Sequence, residues 1–226
     1  MNHAEFERLP ELDCAGREEM NALCTRLALA TGTGKRILVT SCLAGEGKTF
    51  LAANIVRTLA RLGHTAVLVD ADLRCAQGTE KGLSDYLTDK CELDEAIVQT
   101  AVAGAATVDS GTVAENPLTL LNSPRLETLL QALAQRFEFV IVDSPAAGLY
   151  ADAMEIARFC DGTVFAVKYA AARRKALVQA RQQMERSGTP VLGAVFNGVT
   201  FETLSSRRFY NKALYARCRA YAHAKN

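Results

Sequence analysis

The run Ile37-Leu-Val-Thr-Ser-Cys-Leu-Ala-Gly-Glu-Gly-Lys-Thr-Phe50 limits what this chain can fold into more than any other stretch. An apolar segment with strand character breaks into a glycine-bearing loop ending in Gly47-Lys48-Thr49. A segment with Leu51, Ile55, Leu59 and Leu62 on one helical face follows at once. Strand, glycine loop and helix in that order make a phosphate cradle. Glycines let backbone N–H groups turn onto phosphate oxygens, and the helix N-terminus adds its positive dipole end. In such a cradle Gly45, Glu46, Gly47, Lys48, Thr49 and Phe50 face a nucleotide, Lys48 reaches its β- and γ-phosphates, and the Thr49 hydroxyl reaches Mg²⁺. The full GxxxxGK[ST] spacing would place a glycine at position 42, where this chain has Cys42. Taken alone, the same residues also fit an ordinary βα turn with a solvated lysine.

Beyond this loop the pattern alternates. Apolar runs predict strands near 36–41, 65–70, 118–121, 138–143, 163–168 and 191–196, and amphipathic spacing predicts helices near 48–62, 123–136, 149–159 and 173–187. Gly63 and Gly188-Thr-Pro190 supply helix stops. This rhythm predicts an α/β fold with a mostly parallel central sheet covered by helices on both faces, which gathers ligands at the carboxyl ends of its strands. Residues 1–34 read as an arm with one amphipathic helix, about 18–30. Residues 35–200 read as the P-loop domain, and 201–226 as a basic, tyrosine-containing tail or helix. Within the domain, 71–117 is least regular. Gly82 to Leu87 suggests a short helix, and the small residues from Thr100 to Thr112 suggest a surface excursion or a loop over the site.

Composition narrows the function classes. With 26 Lys and Arg against 25 Asp and Glu, no overall field favours nucleic acid. Seven cysteines without a CxxC pair suit neither a disulfide framework nor a zinc site, so reduced thiols in the cytoplasm are expected. The apolar runs fall far short of the ~20 residues of a membrane helix, and the acidic N-terminus is unlike a signal peptide. Any membrane role must then come through a partner or a surface helix.

The other candidate residues lie where apolar strands end. Ala66-Val-Leu-Val69 runs into Asp70-Ala-Asp72-Leu-Arg74, and Phe139-Val-Ile-Val142 into Asp143-Ser-Pro145. Carboxylates just past buried strands, on the edge that carries the phosphate loop, are placed to hold Mg²⁺ directly or through water. A turn former or helix cap explains any one of them alone. Three together, opposite Lys48, make a metal–nucleotide site.

Val67 to Arg74 resembles the hhhDxDxR motif (h, apolar), the modified Walker A′ of bacterial tyrosine kinases. Phe139 to Pro145 resembles their hhhhDxP Walker B, and Thr40-Ser41 through Thr49 their Walker A. The likeness continues through Gly82 to Leu87, Gly111 to Pro117, Ala151-Asp152-Ala153 and Val195 to Gly198, covering about residues 18–200. It implies an ATP- and Mg²⁺-dependent autokinase that regulates capsular or exopolysaccharide synthesis and export. Such an enzyme works with a membrane adaptor, the polysaccharide co-polymerase, which recruits it to the inner face of the cell membrane. By motif position Lys48 grips phosphate, while Thr49 and Asp143, with Asp70, form the metal set. Asp70 and Asp72 are the acidic pair, one of which, Asp70 by preference, orients or deprotonates the tyrosine hydroxyl. Asn197 is similar to an asparagine that reads the purine in related folds, and a satisfied turn residue fits that position equally well.

The chain departs from the family pattern in three places. Ring-forming members carry an ExxRxxRxNL-like segment. Here Asn21 and Cys24 stand at its arginine positions, and neither replaces a guanidinium fork, which counts against homo-oligomeric rings built by the family route. The family's tail is a glycine-rich tyrosine cluster, whereas this one offers Tyr210, Tyr215 and Tyr221 with no glycine after Gly198. At ~100° per residue Tyr210, Leu214 and Tyr221 share a face, so a basic amphipathic helix competes with a phosphoacceptor segment. Milder departures are Ala44, Thr49 and Ala146 where proline, serine and proline are usual.

Two rivals remain at this level. A partition or septum-positioning ATPase would need an extra lysine early in the phosphate loop, and none lies between Ser41 and Gly47. A nucleotide-gated interaction module would bind ATP and signal to an export protein without modifying tyrosine.

Overall fold

The structure is a computed structural model that describes residues 2–30, 35–76, 81–169 and 174–199. Its elements, in chain order, are α1 (His3–Glu7), α2 (Cys14–Ala30), β1 (Lys35–Ser41), α3 (Lys48–Arg61), β2 (Ala66–Asp70), α4 (Leu83–Leu87), α5 (Leu93–Ala96), β3 (Ile97–Gln99), β4 (Ala105–Val108), α6 (Pro117–Leu121), α7 (Pro124–Arg136), β5 (Phe139–Asp143), α8 (Asp152–Ala157), β6 (Gly162–Lys168), α9 (Arg174–Arg186) and β7 (Val191–Asn197). A 3₁₀ turn, Leu73–Cys75, follows β2.

Among the described residues seven strands form one sheet in the order β3-β4-β2-β5-β1-β6-β7, parallel except for the β3–β4 pair. The parallel α/β fold predicted from the sequence is therefore present. Alternation along the strands divides the core in two. Leu38, Val67, Val69, Val140 and Val142 pack on the side of α7, α8 and α9. Ile37, Val39, Leu68, Phe139 and Ile141 pack on the side of α2 and α3. Both faces of these strands are buried, which is why their sequences are continuous apolar runs.

Two expectations for 71–121 need correction. Residues 118–121 are helical: Asn116 caps α6 by accepting from the Thr119 N–H, and Pro117 at its first position presets the helical φ. The expected surface excursion at 100–112 contains β4 instead, fully buried beside β2. Its first two residues, Ala105 and Ala106, give little strand signal, and the β-branched pair Thr107-Val108 is too short a run to mark one.

The N-terminal helix begins earlier than expected, at Cys14, and its Met20, Cys24 and Leu27 join Phe6 of α1 in the core beside α3. Among the described residues no helix is long and apolar enough to cross a membrane. The tail tyrosines, Tyr210, Tyr215 and Tyr221, lie outside the described residues.

Candidate functional site at the carboxyl rim of the sheet

β1 ends in the loop that precedes α3, and that loop is held by its own glutamate. Glu46 is buried, and its carboxylate accepts from the Leu43 N–H at 2.6 Å and the Lys168 N–H at 3.2 Å. Its side chain thus ties the loop to the end of β6. Gly47 precedes α3 with φ 88°, and a β-carbon there would lie 1.9 Å from Asn197 Nδ2. Left-handed backbone and close approach both require glycine at this position. The first intrahelical bond of α3 runs from the Leu51 N–H to the Gly47 carbonyl. The N–H groups of Lys48, Thr49 and Phe50 therefore have no intrahelical acceptor, and they form an anion-binding end.

Cys42 tolerates the usual glycine position because, among the described residues, the only non-glycine with positive φ is Asp89. The close approach has moved across the loop to Gly148, where a β-carbon would sit 2.2 Å from the Cys42 carbonyl oxygen.

The acidic strand ends meet this loop. β2 and β5 are parallel neighbours with Asp70 directly opposite Asp143. Asp143 Oδ2 accepts from the Thr49 hydroxyl at 2.5 Å, and its Oδ1 is buried without a partner among the described residues. The Asp72 N–H donates to Asp70 Oδ1 at 3.2 Å, and Asp72 Oδ1 is likewise buried with no partner among the described residues. Burial raises the Asp70 carboxyl above its ordinary range. Burial, reinforced by the Asp70 charge, pushes Asp143 up to about 7, while Thr49 and the Lys48 charge act in the opposite direction. Thr49, Asp70, Asp72 and Asp143 thus gather on one rim, with Lys48 near enough to act on Asp143 electrostatically.

Asn197, the last residue of β7, reaches the phosphate loop. Its amide donates to the Glu46 carbonyl at 3.1 Å, and its oxygen accepts from the Gly198 N–H at 2.9 Å.

Sequence reasoning gave no role to several residues that shape this rim. Arg74, within the 3₁₀ turn, donates to both oxygens of Asp152, which is fully buried at the start of α8. The Arg74 guanidinium also stands 4.4 Å from the centre of the Tyr150 ring. The buried Thr40 hydroxyl donates to the Pro145 carbonyl at 2.8 Å and accepts from the Ala147 N–H at 3.1 Å, joining β1 to the loop after β5. Asp152 and Thr40 both stood in motifs the sequence had singled out. Their partners are about 80 and 105 residues away, so spacing alone could not pair them.

Comparison with known proteins agrees with this geometry. Residues 37–208 match the CobQ/CobB/MinD/ParA nucleotide binding domain family. The chain is 35% identical over 188 residues to the tyrosine-protein kinase CpsD of Streptococcus pneumoniae, covering 80% of this chain and 83% of that protein. It belongs to the bacterial tyrosine kinases. The kinase fold is equally evident in structure. The kinase domain of the Escherichia coli tyrosine kinase ETK superposes with a TM-score of 0.78 at 27% identity, over 87% of this chain and 78% of that domain. The chimerical protein CapA2B2 superposes at 0.76 with 25% identity, over 80% and 84%. This kinase therefore combines a nucleotide-binding fold with the acidic rim described above.

Proposed function

We propose that this chain is an ATP- and Mg²⁺-dependent protein-tyrosine autokinase that controls capsular or exopolysaccharide synthesis and export. In this reading it phosphorylates Tyr210, Tyr215 and Tyr221 of its own tail and works under a membrane adaptor. The observation that carries the reading is the meeting of the Thr49 hydroxyl with Asp143, directly across from Asp70, at the end of a helix whose first N–H groups are free to bind phosphate.

The residues divide the work by chemistry. Lys48 and the N–H groups of the first turn of α3 bind the transferring phosphate and neutralise its charge. Hard oxygen donors, the buried Asp143 Oδ1 with no partner among the described residues and the Thr49 hydroxyl, fit magnesium. When bound there, the ion supplies charge neutralisation between phosphate oxygens. Asp70 accepts a hydrogen bond from the acceptor phenol and fixes its approach, and Asp72 supports it through the backbone bond to Asp70 Oδ1. A phenol of pKa near 10 loses its proton late, so positioning outweighs base strength. In this reading Asn197, held against the loop through the Glu46 carbonyl, reads the purine edge.

Labelled ATP with Mg²⁺, added to the purified chain with and without candidate adaptors, tests this reading. Label on the tail tyrosines, lost in Lys48→Ala and in the triple Tyr→Phe variant, is the expected result. Phosphate release without label would instead indicate a partition-type ATPase, and nucleotide binding with neither would indicate a gated interaction module.

A further inference from the structure

Residues 2–13 precede the span that matches the nucleotide-binding family, yet they are built into the domain along β4. Phe6 is fully buried in the α3-side core together with Ala105. Glu7 accepts from the Ala101 N–H at 2.7 Å, ahead of β4, and the His3 N–H donates to Asp109 Oδ2 at 2.9 Å, just past its end. Val108 pairs with Val69 at the end of the β2–β4 register, and Asp109 and Asp70 are the residues that follow them on these neighbouring strands.

Asp109 is only 7% exposed, and its Oδ1 is buried without a hydrogen-bond partner among the described residues. A carboxylate withdrawn from water and given one backbone N–H is under-satisfied, and a cation with several donors would complete it. A guanidinium is the side chain that supplies them. Every candidate acceptor tyrosine has an arginine two residues away: Arg208 before Tyr210, Arg217 after Tyr215 and Arg219 before Tyr221. In an extended segment residues two apart share a side and lie about 7 Å from each other, while neighbouring strands are about 4.8 Å apart. A tyrosine at Asp70 therefore brings such an arginine within reach of Asp109.

We propose that Asp109 is the seat for the arginine flanking the acceptor tyrosine, and that the arm tip at His3 holds this seat until an acceptor enters. The inference rests on the tyrosine-kinase reading and names its acceptor class, a tyrosine with an arginine two residues away. It extends to acceptors on a second copy of the chain.

Two fluorescent peptides test it, alike except for arginine or alanine two residues before tyrosine, titrated by anisotropy onto the full chain with Mg²⁺ and a non-hydrolysable ATP analogue. The arginine peptide should bind about fivefold more tightly, the value of one partly solvated ion pair. Asp109→Asn should erase that preference. His3→Pro deletes the N–H at the first position of α1, where proline is tolerated and the extended Asn2 before it is compatible. It should widen the preference, whereas His3→Ala, which keeps the N–H, should match the parent. Equal binding of both peptides by the parent, or an undiminished preference in Asp109→Asn, overturns the seat. A parental preference in His3→Pro overturns the arm's part in it, and the two-peptide comparison on the parent still tests the seat if Asp109→Asn does not fold. Failure of the kinase reading shows separately, as no label transfer from ATP to either peptide.

Discussion

The guanidinium of Arg74 holds both carboxylate oxygens of Asp152, at 2.5 and 3.0 Å, and so clamps the segment after β2 to the start of α8. The two partners are unequal: the Asp152 side chain is 0% exposed and that of Arg74 is 35% exposed. Removing the arginine leaves a buried charge alone, whereas neutralising the aspartate leaves a guanidinium that water can reach. Arg74→Ala should therefore cost about 3 kcal/mol of stability and Asp152→Asn nearer 1 kcal/mol, read from urea unfolding midpoints. Equal losses would mean that the pair is already well hydrated.

The raised Asp143 carboxyl makes the resting domain sensitive to pH. The folded state holds a proton up to about pH 7 that an ordinary aspartate, near 3.8, has already released. The folded form thus binds more protons across this window, and Asp143's contribution to stability falls as pH rises through it. Asp143→Asn does not titrate, so its melting temperature should gain on the parent's between pH 5 and pH 8 without nucleotide. A constant difference would count against the shift. Because metal competes with that proton, Mg²⁺–nucleotide affinity of the parent should also rise over the same range.

Space at the Cys42–Gly148 contact predicts a contrast between two small substitutions. Gly148→Ala places a β-carbon 2.2 Å from the Cys42 carbonyl and forces the phosphate loop to move. It should destabilise by about 2 kcal/mol, with nucleotide affinity down about tenfold. Cys42→Ala, on ordinary backbone, should bind nucleotide within about twofold of the parent. Calorimetric titration of both with an ATP analogue makes the comparison.

Glu46 offers a test of loop stiffness. Ala at this position leaves two half-buried backbone donors, Leu43 and Lys168 N–H, without their acceptor, each bond worth roughly 1 kcal/mol. Glu46→Ala should raise the KM for ATP about tenfold and lower kcat less. Unchanged KM would show that the loop keeps its shape without the tie.

The phosphate loop and the two acidic strand ends were legible because each combines an apolar run with residues that few other settings require. β4 was not legible. Ala105 and Ala106 carry little hydrophobic signal, and their place beside β2 depends on what covers them, including Phe6 from a different part of the chain. Residues 118–121 look like a strand by composition, but the local signal of Asn116 and Pro117 outweighs it. The inward turn of Glu46 was equally hidden, since one of its two partners is Lys168, 122 residues away. Long-range pairing of this kind leaves no periodic trace.

Cys24 shows how one side chain narrows the choice of subunit contacts. Its thiol faces the Ile55 carbonyl in the seam between α2 and α3, where loss of solvation pushes its pKa up to about 12. An arginine at this position would have to force its charge into that seam or twist the helix outward. Neighbouring copies, wherever they meet, must grip a different surface, and a single reversion at position 24 should weaken the domain rather than restore a ring.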